Sequence, residues 1–301
     1  MRSQLLTNLF LLVLAIGLGL FLFYDELEQD EIKKLTELSA SDINRIHIQH
    51  QQRVTVLTKS DRQWRLTQPI EIAANQFRIK TLLSILETAS DAQYASDELE
   101  LKKFGLANAE TSITFNDRKI EFGTLNPVTG YRYVKTGDQL HLIDDHFYPL
   151  LSSQIGTLIA TELLPGDAAI SKLVLPDDVL SRDEQGHWQS RHGILSEAVA
   201  DTVYQWTHKQ AFAVHDYMPR ESLGEIEVFL ENSQTPVRFS ITDEAPWLII
   251  ARPELELEYH FNLEESAALL KPGTAKAPDD DSQSETLRVS PDEFLHIIQL
   301  Q

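Results

Sequence analysis

Four side chains close together in the chain, His141, Asp144, Asp145 and His146, carry the atom types that hold a divalent cation or relay a proton. They straddle the junction between an expected strand, Gln139 to Ile143, and an expected short helix, His146 to Leu151. Their spacing is not the i, i+4 spacing of a helical metal pair, and a carboxylate ahead of a helix is what a cap requires. Capping therefore accounts for the two aspartates. His187 and His192 flank a turn. Asp279, Asp280 and Asp281 are consecutive, whereas a calcium loop needs alternating ligands, a glycine and a closing glutamate. That run reads as solvated chain. Trp64 could stack on a sugar ring, yet its place on the second arm of a hairpin makes it a core residue first. No phosphate-binding glycine loop, dinucleotide fingerprint, zinc-protease helix or nucleophile elbow occurs. Serine, histidine and carboxylate pairs are plentiful, so a hydrolase site could assemble in space, but no spacing marks one. No catalytic, cofactor-binding or metal-binding residue is assigned, and no cofactor is expected.

Composition narrows the partners. Aspartate and glutamate number 46 against 26 lysines and arginines, giving a formal charge of −20 and a pI near 4.8. Such a chain repels phosphate backbones and anionic lipid surfaces, so nucleic acid is not an expected partner. Cysteine is absent, which excludes disulfides, thiolate metal sites, a catalytic thiol and a lipidated cysteine, and fits an oxidising compartment. The 301 residues suit two domains of about 120 residues each.

Leu5 to Tyr24 is almost wholly apolar, and ~20 residues of helix span the ~30 Å of a hydrocarbon core. Phe21, Phe23 and Tyr24 sit where an interfacial aromatic belt falls. Arg2 and the terminal amine precede the segment, and no basic residue follows before Lys33. The expectation is a single-pass anchor at residues 1–24 in a bacterial inner membrane, with a cytoplasmic N-terminus and the bulk of the chain periplasmic. The alternative is a cleaved secretory signal, although the apolar run is long for one and no small-x-small site followed by a plausible mature start appears before Asp25. Either way the chain is exported. Ala15 and Gly19 have the small-xxx-small spacing of paired helices, but a lone anchor is expected. Residues 25–42 read as an acidic stalk.

The fold class expected for the remainder is α+β, with two similar units, each a mostly antiparallel sheet covered by one main helix. The first, residues 43–164, opens with Ile43, Ile46 and Ile48. A hairpin from Val54 to Leu66 turns at Ser60-Asp61. A helix from about Asn75 to Ala89 carries Ile79, Leu82, Leu83 and Leu86 on one face, with Asn75 as its cap. Gly105 is placed at a positive-φ turn. Four strands follow, the last two joined across Thr136-Gly137-Asp138. The second unit, residues 165–270, repeats these parts from Ile170 onward, with Trp188 standing where Trp64 stood. A single continuous α+β domain is the alternative. Residues 271–286 read as a flexible linker and 287–301 as a strand-helix tail, with Ser290, Pro291 and Glu293 as helix-start signals.

Several short motifs together carry a family resemblance. They are Ile43-x-x-Ile46-x-Ile48, Gln63-Trp64-Arg65-Leu66 before Pro69, and Leu82-Leu83 with Leu86. Phe104-Gly105-Leu106, Phe122-Gly123-Thr124 and Tyr131-Arg132-Tyr133-Val134 complete the set. Over residues 43–150 the chain resembles the bacterial DUF4340 family, a domain of unknown function, and the anchor with its acidic stalk is similar too. The resemblance implies an extracytoplasmic accessory role beside ABC-type export or gliding-motility systems, and it brings no catalytic residues. The expected function is thus a non-enzymatic, membrane-anchored periplasmic accessory or scaffold protein, associated with ABC-type transporter components or another envelope machine. Two alternatives stand beside it: a glycan- or peptide-binding module, and an unmarked hydrolase.

Overall fold

The computed structural model describes residues 34–273, with Leu14 and Ile16 ahead of them. The rest of the expected membrane segment, the stalk up to residue 33, most of the linker, and the tail at 287–301 lie outside the described residues. Among the described residues no helix is long and apolar enough to cross a membrane.

Two antiparallel sheets with few helices make up the described chain. The first is built from β1 (Arg45–His50), β2 (Arg53–Ser60), β3 (Gln63–Gln68), β4 (Ile72–Ala73), β5 (Ala92–Ala95), β6 (Thr111–Phe115), β7 (Arg118–Leu125), β8 (Arg132–Thr136) and β9 (Gln139–Ile143). Helix α1 (Gln76–Leu83) separates β4 from β5, and α2 (Tyr148–Ser152) follows β9. The spatial order is β4-β3-β2-β1-β6-β7-β8-β9-β5. The second sheet comprises β10 (Ile170–Val174), β11 (Val179–Arg182), β12 (Trp188–Ser190), β13 (Ala213–Asp216), β14 (Gly224–Leu230), β15 (Val237–Asp243), β16 (Trp247–Arg252) and β17 (Leu257–Asn262). Helix α3 (Ser196–His208) lies between β12 and β13, and α4 (Leu263–Leu270) follows β17. Its order is β12-β11-β10-β14-β15-β16-β17-β13. Leaving out the two-residue β4, both sheets read third, second, first, fifth, sixth, seventh, eighth, fourth strand. The same path is traced twice.

Period-two patterning explains the main core of the first sheet. Ile46 and Ile48 stand opposite Phe115 and Ile113, Ile46 also stands opposite Leu57, and Leu57 stands opposite Leu66. All six are buried. The β2–β3 turn places Asp61 and Arg62 at positive φ, 51° and 69°, the twist that a two-residue hairpin demands. Asn75 caps α1 by accepting from the Arg78 N–H, and Ile79, Leu82 and Leu83 are buried. The helix is shorter than the expected 75–89, because its last turn tightens into a 3-10 segment, Ser84–Glu87. A smaller core of Leu106, Leu140 and Leu142 gathers Leu99, Leu101, Phe104 and Tyr133. Residues 96–109 thereby cover the opposite face near β8 and β9.

Three departures from expectation have physical causes. The polar passage after α1 contains β5, and the corresponding stretch before β14 contains β13. Both are short edge strands with little apolar alternation to announce them. Trp188 is half-buried whereas Trp64 is buried. The wholly buried tryptophan of the later sequence is Trp206, whose indole N–H donates to the Leu269 carbonyl at 2.9 Å and whose ring meets Phe239 edge-on. Finally, the stretch from Lys34 on is joined to folded structure. Leu35 is buried and donates to the Thr88 carbonyl, Lys34 bridges Ala89, and Thr36 donates to the Leu86 carbonyl.

By contact density the chain divides into two compact units. One comprises the described residues up to Thr161 with Ala211–Pro219 and Ala251–His260. The other comprises Glu162–Gln210, Arg220–Ile250 and the described residues from Phe261.

Candidate functional site

Arg132 enters the fold on β8 at a position facing the core, where a guanidinium survives only if its donors are satisfied. Its Nε and Nη2 reach the two carboxylate oxygens of Asp145, and its Nη1 donates to the Gly123 carbonyl. Its flat face lies 3.6 Å from the centroid of the Tyr148 ring. That carbonyl is available because the β7–β8 register shifts between Phe122 and Leu125, a bulge that turns the backbone out of its ladder. Tyr148, the first residue of α2, accepts from the Thr111 hydroxyl at 3.3 Å, and that hydroxyl lies 2.7 Å from Nδ1 of His50. Arg53 donates to the carbonyls of Ser152 and Ser153 at the far end of α2. Two arginines thus clamp a helix too short to persist alone.

The bulge also creates a close backbone crossing. A Cβ on Gly123 would stand 2.1 Å from the Phe104 carbonyl oxygen, and one on Gly105 would stand 2.8 Å from Cγ2 of Thr124. Gly105 has φ of +71° and closes the 3-10 turn Leu101–Phe104. The Phe104 ring packs edge-on against Tyr133, centroids 4.7 Å apart. Three motifs separated in sequence, Phe104-Gly105-Leu106, Phe122-Gly123-Thr124 and Tyr131-Arg132-Tyr133-Val134, are therefore neighbours in space. Their distinguishing residues are used in packing and in a guanidinium–carboxylate pair.

The four side chains singled out in sequence do not form one site. Asp145 belongs to Arg132. Asp144 accepts from the backbone and ring of His146, and the His146 hydrogen bonds hold its carboxyl below the usual carboxylate range. His141 points to the core side of β9, is buried, and pairs through Nδ1 with the Ser90 hydroxyl at 3.0 Å. Burial pushes its pKa below the ordinary histidine value. The Ser90 hydroxyl is also bonded to the Ala92 carbonyl at 2.8 Å. Among the described residues no group of three or more histidine, aspartate or glutamate side chains is arranged to hold a metal ion. His187 is paired with Asp183, and His192 with the Asp177 carbonyl. Trp64 is buried, and the Arg182 guanidinium lies 5.0 Å over the Trp188 ring.

Sequence reasoning missed one titratable group. Glu258 on β17 is fully buried, accepts from His260 Nε2 at 2.8 Å and from the Met218 N–H at 3.2 Å. His215 on β13 stands opposite Glu258 and packs its ring edge-on against His260. The i, i+2 spacing of Glu258 and His260 was a usable signal, since on a strand it puts a carboxylate and an imidazole on one face. A depression of about 320 Å³ is lined by Asp117, Arg118, Lys119, Glu121, Lys135 and Gly137. There Glu121 holds both lysines, at 2.7 and 3.6 Å, as expected of the solvated face of an antiparallel sheet.

Two antiparallel sheets sharing one strand order, with a buried arginine–carboxylate node in the first, define the architectural class. Residues 64–193 match the model of a family described as Domain of unknown function (DUF4340), which supports the resemblance read from the motifs. The match starts on β3 and ends just past β12, later at both ends than the 43–150 on which the resemblance was read. Comparison with curated proteins and with solved structures gives no match.

Proposed function

We propose that the protein is a non-enzymatic, membrane-anchored accessory or scaffold protein of the bacterial envelope, working beside an ABC-type transporter or another envelope machine. In this reading residues 5–24 form a single membrane-spanning helix with the N-terminus in the cytoplasm, and the folded units stand in the periplasm. Each sheet is covered by one main helix, α1 in the first and α3 in the second.

The observation that carries this reading is the use made of the motif residues. Gly105 lies against Thr124, Gly123 against the Phe104 carbonyl, Tyr133 against the Phe104 ring, and Arg132 is held by the Gly123 carbonyl, Asp145 and Tyr148. Residues that mark a catalytic family converge on a reacting atom; these converge on a backbone crossing. The −20 charge and the absence of cysteine are compatible with an exported chain.

The test is cross-linking of the intact chain in native membranes, followed by identification of what co-purifies. One envelope protein recovered at a fixed ratio supports the reading. Sustained turnover of an envelope substrate by the purified chain overturns it.

A further inference from the structure

We infer that β5 is a docking edge that takes an extended, basic segment of a partner protein as an added strand. The inference rests on the accessory reading and names the surface and chemistry by which the partner is held.

Sheet edges expose unpaired backbone groups and are normally blunted. Three of the four edges here are. β4 has two residues, and the chain at 158–160 lies along it, with Ala160 donating to Ala73 and Asn75 donating to Leu158. β12 has three residues. β13 is overlain by the 3-10 turn Ile155–Leu158, where a Cβ on Gly156 would stand 2.2 Å from the Val214 carbonyl oxygen. Along its own four residues β5 has none of these devices; the chain at Lys34–Leu35 meets the backbone at Thr88–Ala89, ahead of the strand. Its register with β9 is unbroken from Ala92↔Leu142 to Ala95↔Gln139, and it contains no proline, lysine or other charged residue. Gln93, Tyr94 and Ala95 are exposed, Tyr94 by 51 %. No other described strand pairs with it.

The ladder fixes which backbone groups point outward. Ser96 donates to the Asp138 carbonyl, one step beyond Ala95↔Gln139. Antiparallel pairs alternate between bonded and non-bonded, so Gln93 and Ala95 are the non-bonded positions, with N–H and C=O directed away from β9. A strand laid there finds two donors and two acceptors in register.

Charge selects the occupant. Asp91 precedes the strand, Asp97 and Glu98 follow it, and all three are exposed. A second copy paired antiparallel through β5 would bring Asp91 against Asp97 and Glu98, like charges in a chain already at −20. The chain's own residues 25–31, rich in aspartate and glutamate, meet the same repulsion. A segment with lysine or arginine flanking a short β-prone stretch is complementary at both ends.

The test uses the full chain in detergent micelles and a labelled octapeptide of alternating lysine and valine, with two controls: its glutamate counterpart and a version N-methylated at alternate residues. Fluorescence anisotropy should show saturable binding of the lysine peptide and at least ~10-fold weaker binding of both controls, through two lost hydrogen bonds in the N-methylated peptide and through like-charge repulsion in the glutamate one. Gln93→Pro with Ala95→Pro removes only outward N–H groups and leaves the β9 ladder intact; it should weaken binding by a similar ~10-fold factor. Should that variant fail to fold, Asp97→Lys with Glu98→Lys serves instead, with the same direction of change. Equal binding of the N-methylated peptide, or unaltered binding by folded variants, overturns the inference. A photoreactive residue at position 94 in native membranes separates the two readings. A partner cross-linked from other positions but never from 94 overturns the docking edge and leaves the accessory role standing. No protein cross-linked from any position overturns the accessory role itself.

Discussion

Gly123 on β7 crosses the Phe104 backbone so closely that a single added methyl would lie 2.1 Å from the Phe104 carbonyl oxygen. The contact is backbone on both sides, so no side chain can rotate away. It ties residues 96–109 to the bulge that frees the Gly123 carbonyl for Arg132.

Gly123→Ala should therefore destabilise the first unit by ~1–3 kcal/mol or more, the cost of overpacking. Gly105→Ala adds the strain of a side chain at φ +71°, about 1–2 kcal/mol. Urea unfolding followed by circular dichroism measures both. A midpoint unchanged in either would mean the crossing is looser than its geometry.

The Arg132–Asp145 pair supports a second prediction. Asp145→Ala leaves a guanidinium largely buried and uncompensated, and should cost ~3–5 kcal/mol. Replacing both partners, Arg132→Met with Asp145→Leu, should cost less than the single change, because no charge is stranded. The double-mutant cycle reads the difference. Arg132→Lys keeps the charge but loses the fork and the stacking on Tyr148, so it should be intermediate.

His141 gives the stability a pH dependence. Its folded pKa is depressed by burial below the ordinary value of 6.5, so the unfolded chain binds its proton first as pH falls. The contribution is complete above pH 6.5 and is lost as pH drops through the folded value. His141→Gln should flatten unfolding free energy between neutral and mildly acidic pH. Asp144 titrates in a separate, lower window. Its carboxyl is depressed below the ordinary 3.8, so its contribution is present above that pH and lost as pH falls through the folded value. A wild-type-like pH profile in His141→Gln would count against this account.

The proposed anchor yields a fourth expectation. Arginine at both Leu12 and Leu14 should release the chain from carbonate-washed membranes, since each central arginine costs ~2.5–3.5 kcal/mol of insertion. Retention of the double variant in the pellet would argue against a span at residues 5–24.

Much of the architecture was legible because apolar alternation and turn chemistry are local. Ile46 and Ile48, the Asn75 cap and Gly105 all read directly from neighbours in the chain. β5 was not legible, because Gln93, Tyr94 and Ala95 are exposed and the one half-buried residue, Ala92, is too little to impose a pattern. Asp145 looked like half of a capping pair, and only Asp144 caps. Its real partner, Arg132, lies across a hairpin, and nothing at sequence level distinguishes a buried arginine from a solvated one. Trp188 matched Trp64 in order but not in depth, since depth depends on what packs above a strand. The Glu258–His260 pair was hidden by the commonness of polar residues on alternating strands.

The central claim is that the motif residues hold a scaffold and do not touch a partner or substrate. It is tested most directly by the yield of partner cross-linking in native membranes for Arg132→Lys, at a temperature where the variant's circular dichroism matches that of the unaltered chain. The account predicts an unchanged yield. A yield abolished while the fold is intact would place Arg132 in a functional site and contradict it.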